Sequence, residues 1–585
     1  MIARRSVLDM PAPRCYPLRM TRALLLLAAL CGCYREPPTP GDDATRLVVL
    51  LDGAPRSLDP RFTIDATSMR ASRMVFEALV TVDNPTLEPV PQLAEAIVPD
   101  PDDPRLWRVR VRRGVRFHDG VELTGRDVVE TFRTVLDPAL GSPYRADFAR
   151  KIKDVRLDPA GDPWDVLFTV QRPYATFVTD LVLGVVPAHA LRDGQLPEGL
   201  YLGTGPYRYV RRDGERTLVL RRNEDWHGGS VGPEWLIFRT IEDENTRLLS
   251  LLGGSGDLVQ NGVSPVLIDT LAQRKGVRVE AARSISFTYL GVNLRVPALA
   301  DVRVRRALAH GIDRESIVAH RYARRALLAT GMLAPFHWAY EGDVERYEYD
   351  PAKAEALLDE AGYARGAGGV RLTIELKLSN NRFRRSVAEL IARQLRGIGV
   401  DVRLRSYEFG TFFADIRKGN FDMFLLQLPE PVEPDMLRWM LHSMATPVKE
   451  PSGDRTPYER ADRRYVNPGA EALLGDADCG AWAREALRKG EAAKRGELDL
   501  DMGSANRTWF FDPRFDCMVE LGLGTVERAE RRRYYAVAQR IAAAELPVIP
   551  LWHEDTVAVM RDKVTGYTPL PNGRLAPLTA ITLQP

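Results

Sequence analysis

Three features of the chain predict an α/β protein. Short apolar or alternating runs, the pattern of strands, recur from one end of the chain to the other. Between them, above all in the second half, lie amphipathic stretches with helix start and stop residues, so helices alternate with strands. The composition, 45% hydrophobic and 27% charged over 585 residues, is that of a globular protein large enough to bury more than one core.

In chain order, Arg46–Leu51 (Arg-Leu-Val-Val-Leu-Leu) reads as a buried strand, and Leu58-Asp59-Pro60 turns the chain. Residues 66–82 read as a helix passing into a short apolar segment. Trp107 to Val111 alternates with period two, as a half-buried strand does. Gly114 and Asp119-Gly120 then punctuate the chain, and Thr124, three residues before Asp127, marks a helix N-terminus. Strand-like runs recur at 166–170 and 216–221. Pro351 to Ala361 is a proline-started helix stopped by Gly362. Arg371 to Leu378 alternates as a strand, Ser386 to Ile398 is helical up to Gly399, and Val400 to Leu404 is again a strand. Residues 447–508, rich in charge, Gly and Ala, read as an insertion of some helix and some loop. Arg531 to Ala544 is a helix and Pro547 to Leu551 a short strand.

The formal charge of +2 leaves no general footprint for a polyanion such as nucleic acid. After Met20, which can itself be the start, Thr21-Arg22 precedes the apolar run Ala23–Leu30 and then Cys31-Gly32-Cys33. That run is too short to span a bilayer, which takes about 20 residues, and has the form of a secretory leader. Removing residues 1–32 takes away five Arg and one Asp and brings the formal charge to −2. Tyr34 to Asp43, rich in Pro, Gly and charge, reads as a tether. In the mature chain Cys479 and Cys517 remain; an oxidising envelope permits a bridge, and two independent thiols are the alternative.

Catalytic patterns are scarce. The chain has no Gly-x-Ser-x-Gly elbow, no His-Glu-x-x-His pair and no His/Cys cluster suited to a transition metal, and its eight His are scattered. His118, in a Phe-His-Asp-Gly turn, reads as a hydrogen-bonded structural residue. Gly203-Thr-Gly-Pro-Tyr207 lacks the Lys and Ser/Thr of a phosphate loop and reads as a rigid turn. Asp313-Arg314 reads as a local ion pair that orients a helix. No enzyme activity and no cofactor are expected.

Several stretches carry a family resemblance. Leu30-Cys31-Gly32-Cys33 resembles the lipobox of bacterial lipoproteins, which implies lipidation at Cys33 and a lipid anchor to a membrane, inner or outer, on the periplasmic side of the cell envelope. Gly114-Val-Arg-Phe-His-Asp-Gly120 with Leu123-Thr-Gly-Arg-Asp-Val128, Gly203-Thr-Gly-Pro-Tyr207, Arg222-Asn-Glu-Asp-Trp226, Tyr289-Leu-Gly-Val-Asn293, Val302-Arg-Val-Arg-Arg-Ala-Leu308 with Ile312-Asp-Arg314, Tyr349-Asp-Pro351 through Ala361-Gly-Tyr363, Gly419-Asn-Phe-Asp422 and Pro547-Val-Ile-Pro550 together resemble, in order, the family 5 extracellular solute-binding proteins. These serve dipeptide, oligopeptide and nickel importers.

The resemblance implies a periplasmic-binding-protein-like fold of two lobes and a hinge, with a third domain on the first lobe. Residues 1–32 would be the signal peptide and 33–44 the tether. Lobe I would comprise 45–76, 187–283 and 547–585, its extra domain 77–186, and lobe II 284–546. The hinge crossings would lie near Ser284–Asn293 and Ala543–Pro550. The implied function is capture of peptides in an interlobe cleft, with closure by hinge bending and delivery to an ABC permease and ATPase. A monomer is expected.

In peptide-binding relatives, one ligand segment follows the Leu-Asp-Pro turn, here Asp65, Ala66 and Thr67. The other follows the Phe-Asp-Met strand, where a Gly-Trp pair precedes an Asp that holds the ligand's amine. This chain departs there: Leu428 stands at the Trp position, and Pro431, or Glu430 after a one-residue shift, at the Asp position. Glu430 is the candidate amine anchor and Glu433 a further one, the alternative being that both are solvated loop acids. The departure leaves room for a non-peptide solute, or for a repurposed sensor or chaperone; a secreted hydrolase is the reading from a different class.

Overall fold

A two-stranded ribbon runs through both halves of the molecule and organises everything else. The computed structural model describes residues 43–84, 86–446, 469–494 and 506–584, so the leader, Cys33 and parts of the 447–508 insertion lie outside the described residues. One sheet has seven strands, in the order Val277–Ala282, Thr556–Arg561, Leu258–Gln260, Arg46–Leu51, Trp235–Thr240, Thr217–Arg222 and Tyr207–Asp213. A second has six, in the order Ala326–Leu328, Val548–Glu554, Phe287–Val292, Met423–Leu428, Leu372–Ser379 and Val400–Tyr407.

Strand 277–282 pairs antiparallel with 556–561 in the first sheet, and 287–292 pairs antiparallel with 548–554 in the second. The same two chain segments therefore cross from lobe to lobe side by side, at 283–286 and at Asp555. The crossing is laced by Arg283 on Asp555 (3.2 Å), by Ser286 Oγ donating to the Glu554 carbonyl (3.2 Å) and by the His553 ring on the Ser286 carbonyl (2.9 Å). Here the structure corrects the expected boundary. The run that opens at Pro547 does not return to lobe I: it continues as a strand to Glu554 within the lobe II sheet, and the return comes at Thr556.

Both sheets are built as their sequences dictate. Lobe II uses parallel pairing of 372–379 with 400–407, which requires a crossover, and helix Arg382–Gly397 supplies it. That helix buries Val387, Ala388, Ile391, Ala392 and Leu395, an i, i+4 stripe, against the sheet. Pro351–Glu360 is a helix capped by the Asp350 carboxylate on Lys353 N. Asp313 and Arg314 do not pair. Asp313 caps helix Arg314–Arg321 through Ser316 N (2.9 Å), and Arg314 donates to the carbonyls of Ala329, Tyr347 and Pro550, tying that helix to the ribbon. Asp43, at the end of the expected tether, is held to lobe I by Lys563 (3.1 Å).

A four-stranded antiparallel sheet (94–99, 106–111, 165–170, 152–157) with helix Gly125–Leu136 on it forms a further core, drawn from the first half of the chain except for Leu523. Asp127 accepts from Thr124 N and Oγ1 at the start of that helix. This subdomain and the loop after Leu428 meet along a polar seam. Thr176 donates to Asp435 (3.2 Å), Thr179 to Glu433 (3.0 Å), and Lys151 reaches Asp180 (2.8 Å) and Asp435 (3.9 Å). Arg172 and Arg438 both bind Glu520.

The insertion is anchored rather than loose where it is described. Helix Gly480–Lys494 starts beside Cys479, which is disulfide-bonded to Cys517 of helix Pro513–Gly524 with Cα atoms 5.9 Å apart, both cysteines buried in the lobe II core. Closing a separation of 38 residues restricts the unfolded chain. Replacing both cysteines by Ala is expected to cost about 2–4 kcal/mol, read as a lower urea midpoint than that of the oxidised wild type; coincident midpoints would refute it.

The seam also carries a pH dependence. Burial, and next Asp435, push the Glu433 carboxyl up to about 7 against the pull of Arg531. Burial likewise lifts Asp180, to about 6, with Lys151 opposing. In the unfolded chain such groups titrate near 4, so between roughly pH 4.5 and 7 the folded protein keeps a proton that the unfolded chain has lost. The stability Glu433 contributes is thus present near pH 5 and declines as pH rises to 8. Glu433→Gln removes this titration. Relative to wild type, the variant is expected to gain on the order of 1–3 kcal/mol between pH 5 and pH 8, measured by thermal unfolding at both; an unchanged difference would contradict the assignment.

Candidate functional site

Helix Ala66–Val75 faces lobe II through Arg73, and the sequence fixes it at both ends. At its start Asp65 accepts from Ser68 N (2.8 Å), and Ser68 Oγ in turn accepts from Arg56 N. Ahead of it, Arg61 folds back on Asp59 (3.0 and 2.7 Å) and reaches Thr134 Oγ1 and the Gly194 carbonyl, locking the Leu-Asp-Pro turn. At its end the Gly-Thr-Gly-Pro-Tyr turn lies against the Val75 carbonyl. A Cβ on Gly203 would sit 1.8 Å from that oxygen, and one on Gly205 2.7 Å, so only glycine fits.

His118 holds this turn from the other side. Its Nδ1 accepts from Gly203 N (3.2 Å), so its Nε2 carries the proton and donates to the Gly205 carbonyl (3.0 Å). Burial lowers its pKa to about 4, and it stays neutral. Glu77, just after the helix, is buried yet met by Thr204 Oγ1 (2.9 Å), Trp226 Nε1 (3.1 Å), the His227 ring (2.9 Å) and Gln92 Nε2 (3.1 Å). Phe-His-Asp-Gly, Gly-Thr-Gly-Pro-Tyr and Asn-Glu-Asp-Trp are thus one contiguous frame.

Across from this helix lie the end of strand Met423–Leu428 and the loop after it. Leu428 pairs with Phe287 of the ribbon and is half-buried. Two residues on, Glu430 crosses to lobe I: Oε1 accepts from Arg73 Nη1 (2.7 Å) and Oε2 from Arg574 Nε and Nη2 (3.1 Å each). Burial works to raise this carboxyl, but Arg73 and Arg574, with Arg70, outweigh it and hold it at about 2. Glu430, the expected amine anchor, is therefore an ionised acid paired with two arginines of lobe I. Glu433 faces Arg531 (3.1 Å) and Thr179, so it too is partnered rather than solvated.

Asp65, Ala66 and Thr67 form the cap and first turn of the helix whose later turns carry Arg70 and Arg73, and none of these three touches Glu430 by a hydrogen bond. Arg70, Arg73 and Arg574 are absent from the expected site. Arg70 and Arg73 stand three apart after the Leu-Asp-Pro turn, a readable helical pair; nothing local marks Arg574. Further ion pairs close the lobes outside this point, Arg382 with Asp243 (2.7 Å), Arg325 with Asp269 (2.6 Å) and Arg56 with Glu408. Among the described residues no cluster of His, Cys, Asp and Glu has the form of a metal site.

Comparison with known proteins gives the same fold. Residues 88–444 match the model of the bacterial extracellular solute-binding proteins, family 5, middle region. Heme-binding protein A of Haemophilus influenzae is 24% identical over 548 residues, 89% of each chain. Di/tripeptide-binding protein 2 of Pseudomonas aeruginosa is 25% identical over 593 residues, 96% of this chain and 97% of that one. In structure, the oligopeptide-binding protein AppA of Bacillus subtilis, solved with a nonapeptide, superposes with a TM-score of 0.75 at 21% identity, over 94% of this chain and all of that one. With the two lobes, the ribbon hinge and the motif frame in place, the chain belongs to the bacterial extracellular solute-binding proteins of family 5.

Proposed function

We propose that this protein captures a small peptide or peptide-like solute between its lobes and hands it to a membrane permease driven by an ATPase, leaving the solute chemically unchanged. The observation that carries the reading is the hinge: two adjacent strand crossings, with partnered groups facing each other across the cleft on both sides. Such a clamp has two positions, and a ligand shifts it toward closure only by binding the closed form more tightly. Relatives named for dipeptides, di/tripeptides and oligopeptides support a peptide-sized solute. The leader of residues 1–32, followed by Cys33, supports a lipid anchor that keeps the binder beside its permease, with the protein acting as a monomer.

Native mass spectrometry of the purified protein, with release and sequencing of what it carries, tests this. Short peptides are expected to co-purify, and a di- to hexapeptide panel to raise the unfolding temperature. An empty protein that no panel member stabilises, or one that cleaves them, would overturn the reading. Cys33→Ser is expected to abolish incorporation of labelled fatty acid and to move the protein from the membrane to the soluble fraction; retention on the membrane would rule out this anchor.

A further inference from the structure

The cleft wall places one acid among three bases. Both oxygens of Glu430 are taken, by Arg73 and by Arg574. Arg70, one turn before Arg73 on the same helix, has no hydrogen-bond acceptor among the described residues, and its Nε is buried without a partner. Its guanidinium lies against the backbone at Gly573, where an added Cβ would sit 2.7 Å from Nη2 and φ is +69°. Next to that glycine, Asn572 is 1% exposed; its Oδ1 accepts from Arg574 N (3.1 Å), while its Nδ2 is left unmet.

The other acids nearby do not balance the arginines. Asp65 is spent on its helix cap, and Asp52 is exposed to solvent and makes no bond to Arg70. Tyr567, also close to Arg70, donates its hydroxyl to Gln260. The remaining charge is positive. Burial lowers the pKa of Arg70, and burial followed by repulsion from Arg73 brings Arg574 down to about 10. Unmet donors and surplus like charge in a partly dry place are costly, and an anion supplied from outside removes the cost.

We propose that Arg70, with Arg73, Arg574 and the Asn572 amide around it, forms the head-group subsite of the cleft and takes a carboxylate of the bound solute. This reverses the polarity expected of the Glu430 position, where an ammonium was the anticipated partner. It rests on the solute-binding reading above: the ligand enters the same cleft, led by its acid end, with Glu430 holding Arg73 and Arg574 apart and oriented.

The test uses one tripeptide in four forms, free, N-acetylated, C-amidated and blocked at both ends, titrated calorimetrically into wild type and Arg70→Gln. In wild type, amidation is expected to weaken binding about ten- to hundredfold, the value of a charge-assisted contact, and acetylation to change it little. In Arg70→Gln the acid-to-amide ratio is expected to fall toward one while the doubly blocked form binds as before, which also shows the variant is folded. Arg70→Lys should retain part of the preference. If acetylation weakens binding and amidation does not, if all four forms bind alike, or if Arg70→Gln keeps the wild-type ratio, the carboxylate subsite is overturned and the solute-binding reading stands. If no form binds wild type, both fail.

Discussion

The close contact between Gly203, Gly205 and the Val75 carbonyl is what the rest of the cleft depends on. It lets the Gly-Thr-Gly-Pro-Tyr turn abut the last turn of helix 66–75 at a distance no side chain would permit. His118 and Glu77 then fasten the turn with hydrogen bonds on either side. A buried acid and a buried imidazole are costly when unmet, and here both are met, so the frame is rigid as well as specific. Its product is the direction of one helix, and with it the placement of Arg70 and Arg73 in the cleft.

That division of labour explains which parts of the molecule were legible. The residues that identify the family build the frame: close-packed glycines, helix caps and hydrogen-bonded turns act over a few residues, and local sequence displays them. Asp127 at the start of its helix, Asp350 before Pro351 and Gly399 after its helix (φ +87°) are cases where cap or turn chemistry announced the element. The α/β class followed from the same signals. The resemblance implies a lobe I place for the run starting at Pro547, and the run's own pattern cannot correct it, because periodicity marks a strand but not its sheet. Val548–Glu554 belongs to lobe II through its partner 287–292, more than 250 residues earlier, as register pairs such as Gly291 with Val548 show.

The site was less legible for a related reason. The place of Glu430 after the Phe-Asp-Met strand is readable in the sequence, yet its chemistry is set by Arg73, 357 residues away, and by Arg574, 144 residues away. A carboxylate's role depends on what charge faces it, and pairing across a cleft leaves no local trace. Asp313-Arg314 shows the same lesson in reverse: adjacent opposite charges read as a pair, but each has a better use, one on a helix N-terminus and one on three backbone carbonyls. The cysteines, left open by sequence, are joined: Cys479 and Cys517 lie in one buried core.

The ribbon also dictates the order in which the molecule can be assembled. Strand 556–561 lies between 277–282 and 258–260, so 277–282 has no place in the first sheet until the C-terminal segment arrives. The second sheet needs nothing outside 287–554. A chain emerging from its N-terminus can thus complete the lobe it makes second before the lobe it makes first, whose sheet stays open at that edge through most of synthesis. Strand 556–561 closes the first sheet just after Asp555 lays down the second half of the hinge, so the clamp gains its ability to bend in the same step that makes its first jaw whole.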